Sequence, residues 1–358
     1  MPLRSHVSGK VPTLRRPFTS RMLRTSHHNM STMPRPYRFH VCANWLAAPP
    51  EHGLKKRTTP FAPDTAIGLW RDHVLTSPRR GFSKTPGEDF FYVQEMRNQS
   101  GVSFGVADGV AGWALSGVDP SLFSQALMYH SHRYAKVGWP GEPEVDTTQD
   151  YEAREAVEGW ELHPLECLKL AYQATLRERD IIAGSSTACL INLNASSGLL
   201  RAANLGDSGF MIIRSSAVFH RQRAQTHFFN CPRQLAKVPA ILQGRSDRIT
   251  DPPEAADIYE TKLRDGDLII AYTDGLSDNV FNHEITSICS LISRSGASEN
   301  AQVQLTSDRI IEYARACMYN DRRTSPFEKM AAMNGKYHFT GGKPDDITLV
   351  VALVREVI

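Results

Sequence analysis

Three apolar segments of this sequence each lead into an aspartate that stands beside a glycine. In Val102–Val106, bulky apolar residues alternate with small ones, which is the period of a β-strand, and Asp108 follows closely. Leu268–Tyr272 is a second apolar run that leads into Asp274, and Asp207 stands in a glycine-flanked turn after a third. Glycine allows the backbone behind each carboxylate to turn sharply. The pattern therefore predicts buried strands that deliver carboxylates at their ends.

Two pairs of acidic residues stand immediately before predicted strands. Glu88-Asp89 precedes Phe90–Val93, and Asp345-Asp346 precedes Ile347–Val354, in which nearly every residue is apolar. Two carboxylates about 4 Å apart repel each other by roughly 4 kcal/mol at an effective dielectric constant near 20. Bound cations remove this repulsion, and oxygen ligands without accompanying His or Cys suit Mg2+ or Mn2+. The acidic pairs and turns together predict a site for hard divalent cations.

These segments resemble, in order along the chain, the motifs of the metal-dependent type 2C protein phosphatases. The matching segments are Gly87-Glu88-Asp89, Val106-Ala107-Asp108-Gly109, Gly184-Ser185-Ser186-Thr187-Ala188, Asn204-Leu205-Gly206-Asp207-Ser208, Thr273-Asp274-Gly275 and Asp345-Asp346-Ile347-Thr348. Other segments resemble the mitochondrial branch of that family, namely Asp108-Gly109-Val110-Ala111-Gly112-Trp113, Gln225-Thr226-His227-Phe228-Phe229-Asn230, Ser325-Pro326-Phe327 and Gly341-Gly342-Lys343-Pro344. The resemblance covers residues 37 to 358.

The resemblance implies two bound ions, Mn2+ or Mg2+, and a set of ligands for them. Asp108 is implied as the carboxylate that bridges the two ions, and the carbonyl of Gly109 completes one metal position. The other direct or water-mediated ligands implied are Asp89, Asp274 and Asp345. Asp108 and Asp274 are the residues on which catalysis is expected to depend most.

Three more acidic residues receive supporting roles from the same resemblance. Asp207 fits a third, weaker metal site that shares one ligand with the first two. Glu88 is implied to act through water. Asp346 stands where many relatives have Asn, and is expected to support the ligands without binding metal itself.

Two positions depart from the pattern of many relatives. Lys84 stands where the family has an arginine that grips the substrate phosphate, and a lysine supplies charge without a bidentate fork. Lys84 is thus either a phosphate-binding residue or a plain loop residue. Val110 stands where many relatives have a histidine proposed to protonate the leaving oxygen, so a different proton source is expected here.

Composition excludes several other classes of protein. The 358 residues carry a formal net charge of +3, which implies no nucleic-acid partner, and no apolar run reaches the length of about 18 residues that suggests a membrane span. The six cysteines are scattered without C-x-x-C spacing, so neither a zinc site nor a redox pair is indicated. We expect a monomer with phosphorylated proteins as its partners.

The first 50 residues contain seven arginines, one lysine and no Asp or Glu. An arginine-rich and serine-rich segment without acids is typical of a mitochondrial transit peptide, and the alternative is a disordered basic segment. We assign residues 1–35 to that segment and residues 36–358 to the phosphatase domain, with a surface insertion at 138–160. The expected location is the mitochondrial matrix.

The expected fold class is α+β: a four-layer αββα sandwich of two antiparallel sheets flanked by helices. The apolar strand Ile347–Val354 predicts burial on both faces, whereas the helical layers come from the resemblance. Pro120–Val137 reads as a helix. Residues 46–87 read as a long loop with one short ordered piece near Ile67–Trp70, and residues 221–262 read as irregular.

The predicted function is metal-dependent hydrolysis of phosphoserine and phosphothreonine in proteins, by a hydroxide that bridges two metal ions. The branch resemblance implies control of mitochondrial metabolism, with coenzyme Q biosynthesis as one candidate process. One alternative is a catalytically inactive, phosphatase-like binding module, although every metal carboxylate of the family is present. The other alternative is a phosphatase of small phosphorylated metabolites.

Overall fold

The computed structural model describes residues 35–49, 61–76, 81–139, 161–239 and 249–357. The strands are Tyr37–Leu46 (β1), Phe90–Glu95 (β2), Gly101–Ala107 (β3), Gly184–Ser186 (β4), Ala188–Asn194 (β5), Leu199–Leu205 (β6), Gly209–Arg214 (β7), Ala217–Arg221 (β8), Thr226–Phe228 (β9), Cys231–Pro232 (β10), Leu235–Lys237 (β11), Asp257–Lys262 (β12), Leu268–Tyr272 (β13) and Ile347–Glu356 (β14). The helices are Ala66–Thr76 (α1), Ser121–Val137 (α2), Pro164–Arg177 (α3), Asp274–Ser277 (α4), Asn282–Ser293 (α5), Glu299–Met318 (α6) and Pro326–Met333 (α7).

Ten of the strands form two five-stranded antiparallel sheets. The first sheet has the strand order β1-β14-β13-β7-β8, and the second has the order β12-β6-β5-β3-β2. The pairing of β14 with β1 runs over ten residues without a shift, from Ile347 opposite Leu46 to Glu356 opposite Tyr37. Because both sheets are antiparallel, the end of each strand lies beside the beginning of its neighbour.

Strand β14 shows why the two sheets pack face to face. Val350, Ala352 and Val354 belong to the apolar cluster shared with the second sheet, whereas Leu349 and Val351 belong to a cluster shared with helices. Alternate residues of a strand point to opposite faces, so a strand that is apolar at every position has both faces covered. The predicted two-sided burial of this strand is confirmed.

Helices cover the outer face of each sheet. On the second sheet, Phe123 and Leu127 of α2 and Leu168 of α3 pack in one cluster with Phe90 and Tyr92 of β2. On the first sheet, α6 contributes the buried side chains of Val303, Ile310, Ile311 and Ala314. Three apolar layers therefore separate four layers of secondary structure, and the predicted αββα sandwich is confirmed.

Two stretches contain more regular structure than their sequences indicate. Residues 221–262, predicted as irregular, contain β9, β10, β11 and β12. The first three are only two or three residues long, too short for an alternating pattern, and β12 is a largely exposed edge strand with polar residues. Within 46–87, the short ordered piece is an eleven-residue helix, α1, that buries Ile67 and Arg71.

The predicted helix at 120–137 is present as α2, and Trp139 just beyond it is buried. The rest of the insertion predicted at 138–160, and the basic segment predicted at 1–35 up to residue 34, lie outside the described residues. Among the helices of the described ranges, none combines the length and the apolar character that crossing a bilayer requires.

Candidate metal centre

The second sheet places two of the predicted carboxylates side by side. Phe90, the first residue of β2, pairs with Ala107, the last residue of β3. Asp89 and Asp108 are the next residues outward on these two strands, so antiparallel pairing brings them to the same edge. Gly109 follows in the same turn, and its amide donates a hydrogen bond to the Glu88 carbonyl (3.2 Å).

The first sheet delivers the remaining carboxylates to the same end of the sandwich. Tyr272, the last residue of β13, pairs with Gly209 at the start of β7 and with Leu349 near the start of β14. The segments that carry Asp207, Asp274 and Asp345 therefore leave the sheet together. Asp108, Asp207 and Asp274 each offer one carboxylate oxygen, and these three oxygens lie within 4.8 Å of one another.

Thr187 joins the turn of Asp108 to the turn of Asp207. The amide of Asp108 donates to the Thr187 hydroxyl oxygen (3.0 Å), and the amide of Thr187 donates to the Asp108 carbonyl (3.0 Å). The same hydroxyl shares a hydrogen bond with Ser208 (2.6 Å), and the side chain is fully buried. Sequence reasoning treats this threonine only as part of a motif, because the link between two distant turns is tertiary.

Thr273 plays the equivalent part for Asp89. Its hydroxyl donates to one carboxylate oxygen of Asp89 (2.7 Å) and accepts from the amide of Thr348 (2.9 Å). Asp89 is 1% exposed. One threonine thus couples the first strand of the second sheet to β14 of the first, directly beside Asp274.

Asp346 binds the backbone that carries Glu88 and Asp89. Its carboxylate accepts from the amide of Glu88 (2.6 Å) and from the amide of Ala48 after β1 (2.7 Å). Charge-assisted hydrogen bonds of this kind are shorter and stronger than neutral ones. The expectation that Asp346 supports the ligands remains a prediction. These two hydrogen bonds would provide that support by holding the backbone next to Asp89.

Two residues that sequence reasoning does not assign lie in the middle of the cluster. The ammonium of Lys343 donates to Asp274 (2.9 Å) and Asp278 (2.7 Å), and lies 3.0 Å from a carboxylate oxygen of Asp345. Asp278 follows Asp274 by four residues across one helical turn, a spacing that could have identified it. In the sequence, Lys343 stands out only as part of a branch motif.

Burial and mutual repulsion dominate the electrostatics of the cluster. Burial, followed by neighbouring carboxylates, holds the pKa values of Asp89, Asp108 and Asp207 well above the usual range. The same causes raise the pKa of Asp345 to about 6 and that of Asp278 to about 7, against the opposing effect of Lys343. These shifts mean that the ammonium of Lys343 does not balance the negative charge of the carboxylates.

Asp274 is the exception within the cluster. Burial by itself raises its pKa, but Lys343 and a set of hydrogen bonds outweigh burial and lower it. One oxygen of this carboxylate, Oδ2, receives the ammonium of Lys343. Asp274 is therefore the carboxylate whose ionised form the fold favours.

The donor set fits hard divalent cations. The buried Oδ1 atoms of Asp89, Asp207 and Asp274 have no hydrogen-bond donor among the residues that the structure describes. An unsatisfied buried carboxylate oxygen is costly, and a bound cation removes that cost. Oxygen atoms alone, without thiolate or imidazole, suit Mg2+, Mn2+ or Ca2+.

The side chains of Lys84 and Val110 make no hydrogen bond or ion pair with the carboxylates in the part of the chain that the structure describes. Lys84 is exposed on the loop before Gly87 and makes no hydrogen bond or ion pair with the residues that the structure describes. Val110 is half-buried at the start of a short 3-10 turn, and its amide donates to the Ser185 carbonyl (3.1 Å). The phosphate-binding role of Lys84 thus stays a prediction.

The chain is similar to curated protein phosphatases over most of its length. It is 34% identical to Protein phosphatase PTC7 homolog fig of Drosophila willistoni over 313 residues, which cover 87% of this chain and 90% of that protein. It is 36% identical to the human Protein phosphatase PTC7 homolog over 272 residues, 75% of this chain and 80% of that protein. No protein-family model matches.

Among solved structures, the X-ray structure of the photosystem II phosphatase PBCP superimposes with a TM-score of 0.60. The two chains are 26% identical, and the match covers 88% of this chain and 98% of PBCP. The fold and the carboxylate cluster thus define a phosphatase of the type 2C class. The chain belongs to the PTC7 family of protein phosphatases, and the prediction of a metal-dependent serine/threonine protein phosphatase is confirmed.

Proposed function

We propose that the protein hydrolyses phosphoserine and phosphothreonine in proteins with two divalent cations held by the carboxylates at the end of the sandwich. The observation that carries this proposal is the set of buried Oδ1 atoms of Asp89, Asp207 and Asp274 that lack donors in the described structure. The raised pKa values of Asp89 and Asp207 indicate that these carboxylates need additional positive charge nearby to stay ionised. Asp274 already receives such charge from the ammonium of Lys343, which lowers its pKa.

The proposed ligand set follows the spatial arrangement of the strand ends. The charges of Asp274 and Asp89 both act on Asp108, which is proposed to be shared by both ions, with the Gly109 carbonyl as a further ligand. Asp274 and Asp345 would complete one position, and Asp89 the other. Asp207 lies close enough to Asp108 and Asp274 to contribute to a third position.

When bound, the cations would supply a water of lowered pKa as the nucleophile and offset negative charge on the phosphoryl group. The residues of the chain hold this arrangement in place. Thr273 and Thr187 orient Asp89 and the Asp108 turn, and Asp346 holds the backbone of Glu88, which is proposed to act through water. Val110 has no proton to give, so solvent is the proposed source of the proton for the leaving oxygen.

Chelation tests the metal requirement. After treatment with a chelator and dialysis, we expect hydrolysis of phosphoserine and phosphothreonine peptides to be lost, and to return on addition of Mn2+ or Mg2+, because no nucleophilic side chain is proposed. Assay of the same preparations against phosphorylated metabolites separates protein substrates from small ones. Hydrolysis that persists undiminished in metal-free protein would exclude the two-ion mechanism.

The proposed location is the mitochondrial matrix, where the protein would act as a monomer on enzymes of metabolism, coenzyme Q biosynthesis among the candidates. The support is the composition of the first 50 residues, with seven arginines and no acid, together with the branch motifs. The membrane potential, negative inside, draws such a segment inward.

A reporter fusion tests this location. Residues 1–35 fused to a fluorescent protein are expected to direct it to mitochondria, and replacement of the arginines by glutamine should abolish import because the positive charge is lost. The glutamine variant is the matched control, since it keeps length and polarity. A native fusion that stays diffuse in the cytosol would contradict the proposal.

A further inference from the structure

The side chain of Lys343 enters the carboxylate cluster from a backbone that other residues hold firmly. The amide side chain of the fully buried Asn279 accepts from the Lys343 amide (2.9 Å) and donates to the Lys343 carbonyl (2.7 Å). Gly342 packs so closely on the end of α6 that a Cβ there would lie 2.3 Å from the Cys317 carbonyl oxygen. The backbone at Lys343 therefore has little conformational freedom.

The ammonium makes three carboxylate contacts at hydrogen-bond distance. They join it to Asp274 (2.9 Å), Asp278 (2.7 Å) and Asp345 (3.0 Å), and the Oδ1 atom of Asn230 lies 3.4 Å away. The side chain is 20% exposed, so little solvent competes for these contacts. Carboxylate oxygens thus surround the ammonium of Lys343 as they would surround a bound metal cation.

The two carboxylate oxygens of Asp274 lie in different surroundings. Its Oδ2 atom receives Lys343, whereas its Oδ1 atom is buried without a donor among the described residues. The Oδ1 atom stays available to an ion shared with Asp108 and Asp207, while the Oδ2 side, with Asp278, already holds a positive charge. Asp274 can thus bind an exchangeable metal ion through Oδ1 while Oδ2 accepts a hydrogen bond from the ammonium of Lys343.

We propose that Lys343 is a built-in cation of the metal centre that occupies the position between Asp274 and Asp278 and keeps a further divalent ion out of it. This inference rests on the proposed metal-dependent function. Lys343 is a positioning residue: it holds Asp274, Asp278 and Asp345 together before any ion arrives. The cluster of six aspartates then takes one exchangeable ion fewer than it would without this lysine.

The first test counts bound ions. In equilibrium dialysis, Lys343→Met, which keeps the length of the side chain and removes its charge, is expected to bind one more Mn2+ ion per chain than the wild-type protein. Lys336→Met removes the same charge from an exposed site without side-chain partners in the described structure and should keep the wild-type number. Equal numbers for wild type and Lys343→Met would overturn the proposal, whereas no Mn2+ binding by wild type would instead overturn the proposed function.

The second test measures stability in the absence of metal. Removing one partner of a buried ion pair leaves uncompensated charge, so Lys343→Met should lower the metal-free melting temperature by about 5 °C or more. Adding Asp278→Asn removes one of the carboxylates left without a partner, so the double variant should recover part of that loss. A double variant no more stable than Lys343→Met alone would contradict the proposal, and this criterion holds even when the single variant fails to fold.

Discussion

Replacement of Asp108 by asparagine is expected to lower phosphopeptide turnover by more than about a hundredfold. Loss of groups that merely support metal ligands typically costs 10 to 100-fold, and Asp108 is the proposed shared ligand itself. Asn keeps the shape of the side chain but not its charge. Turnover at saturating Mn2+ and the Mn2+ concentration for half-maximal activity are the quantities to measure.

The same substitution should raise the melting temperature of the metal-free protein. Burial and the carboxylates of Asp274 and Asp89 hold the pKa of Asp108 above its ordinary value. A carboxyl group whose pKa is higher in the folded than in the unfolded chain destabilises the fold above its ordinary pKa, so removing the charge at pH 7 adds stability. Stabilisation by added Mn2+ should disappear in this variant.

Asp274→Asn distinguishes the effect on turnover from the effect on metal-free stability. Its turnover should fall as far, but its metal-free stability should decrease, because the lowered pKa of Asp274 reflects stabilisation by Lys343 that is present above the ordinary pKa of the group. Asp180→Asn on the exposed surface is the control for both substitutions and should change neither quantity. Near-normal turnover in either site variant would show that the proposed ligand assignment is wrong.

Gly87→Ala is expected to damage the site without touching a carboxylate. Gly87 has φ of +82°, and a Cβ built there would lie 2.1 Å from a carboxylate oxygen of Asp346. Asp346 would have to move, and its hydrogen bonds to the amides of Glu88 and Ala48 would weaken. A hydrogen bond to a charged group is worth about 1.5–3 kcal/mol, in addition to about 1 kcal/mol or more for an alanine in left-handed conformation.

Gly266→Ala is the matched control for this prediction. Gly266 has φ of +78° but open space around the Cβ position, so only the conformational cost applies. Chemical unfolding of the two variants should therefore differ by roughly 2 kcal/mol or more, and only Gly87→Ala should raise the Mn2+ requirement. Equal stability and equal activity of the two variants would show that the contact between Asp346 and the Glu88 backbone does not maintain the site.

The parts of the fold that the sequence predicts are those set by local pattern. Phe104 and Val106 alternate with small residues, and Leu349 to Val354 are apolar throughout, so their burial follows from period and composition alone. Strands β9 to β11 carry no such pattern because they are two or three residues long. Their pairing depends on neighbours that only the folded chain brings close.

In the candidate site, too, local sequence pattern predicts some residues and tertiary contacts determine others. Asp89, Asp108, Asp207, Asp274 and Asp345 were recognisable because each stands just before or just after an apolar run, beside glycine or another acid. Lys343 was not recognisable, since its position depends on Asn279, which lies 64 residues away along the chain. A lysine two residues before a pair of aspartates is ordinarily a solvated charge, and only the tertiary contacts show that Lys343 is enclosed.

The cluster draws on both sheets, and this has a consequence for biosynthesis. Asp89 is supplied by an early part of the domain, whereas Lys343 and Asp345 lie only a few residues before β14, the last strand. An emerging chain therefore lacks one side of the cluster until synthesis is almost complete. We expect ion capture to follow the insertion of β14 between β1 and β13, so that the reactive centre is assembled only on chains that have been made nearly in full.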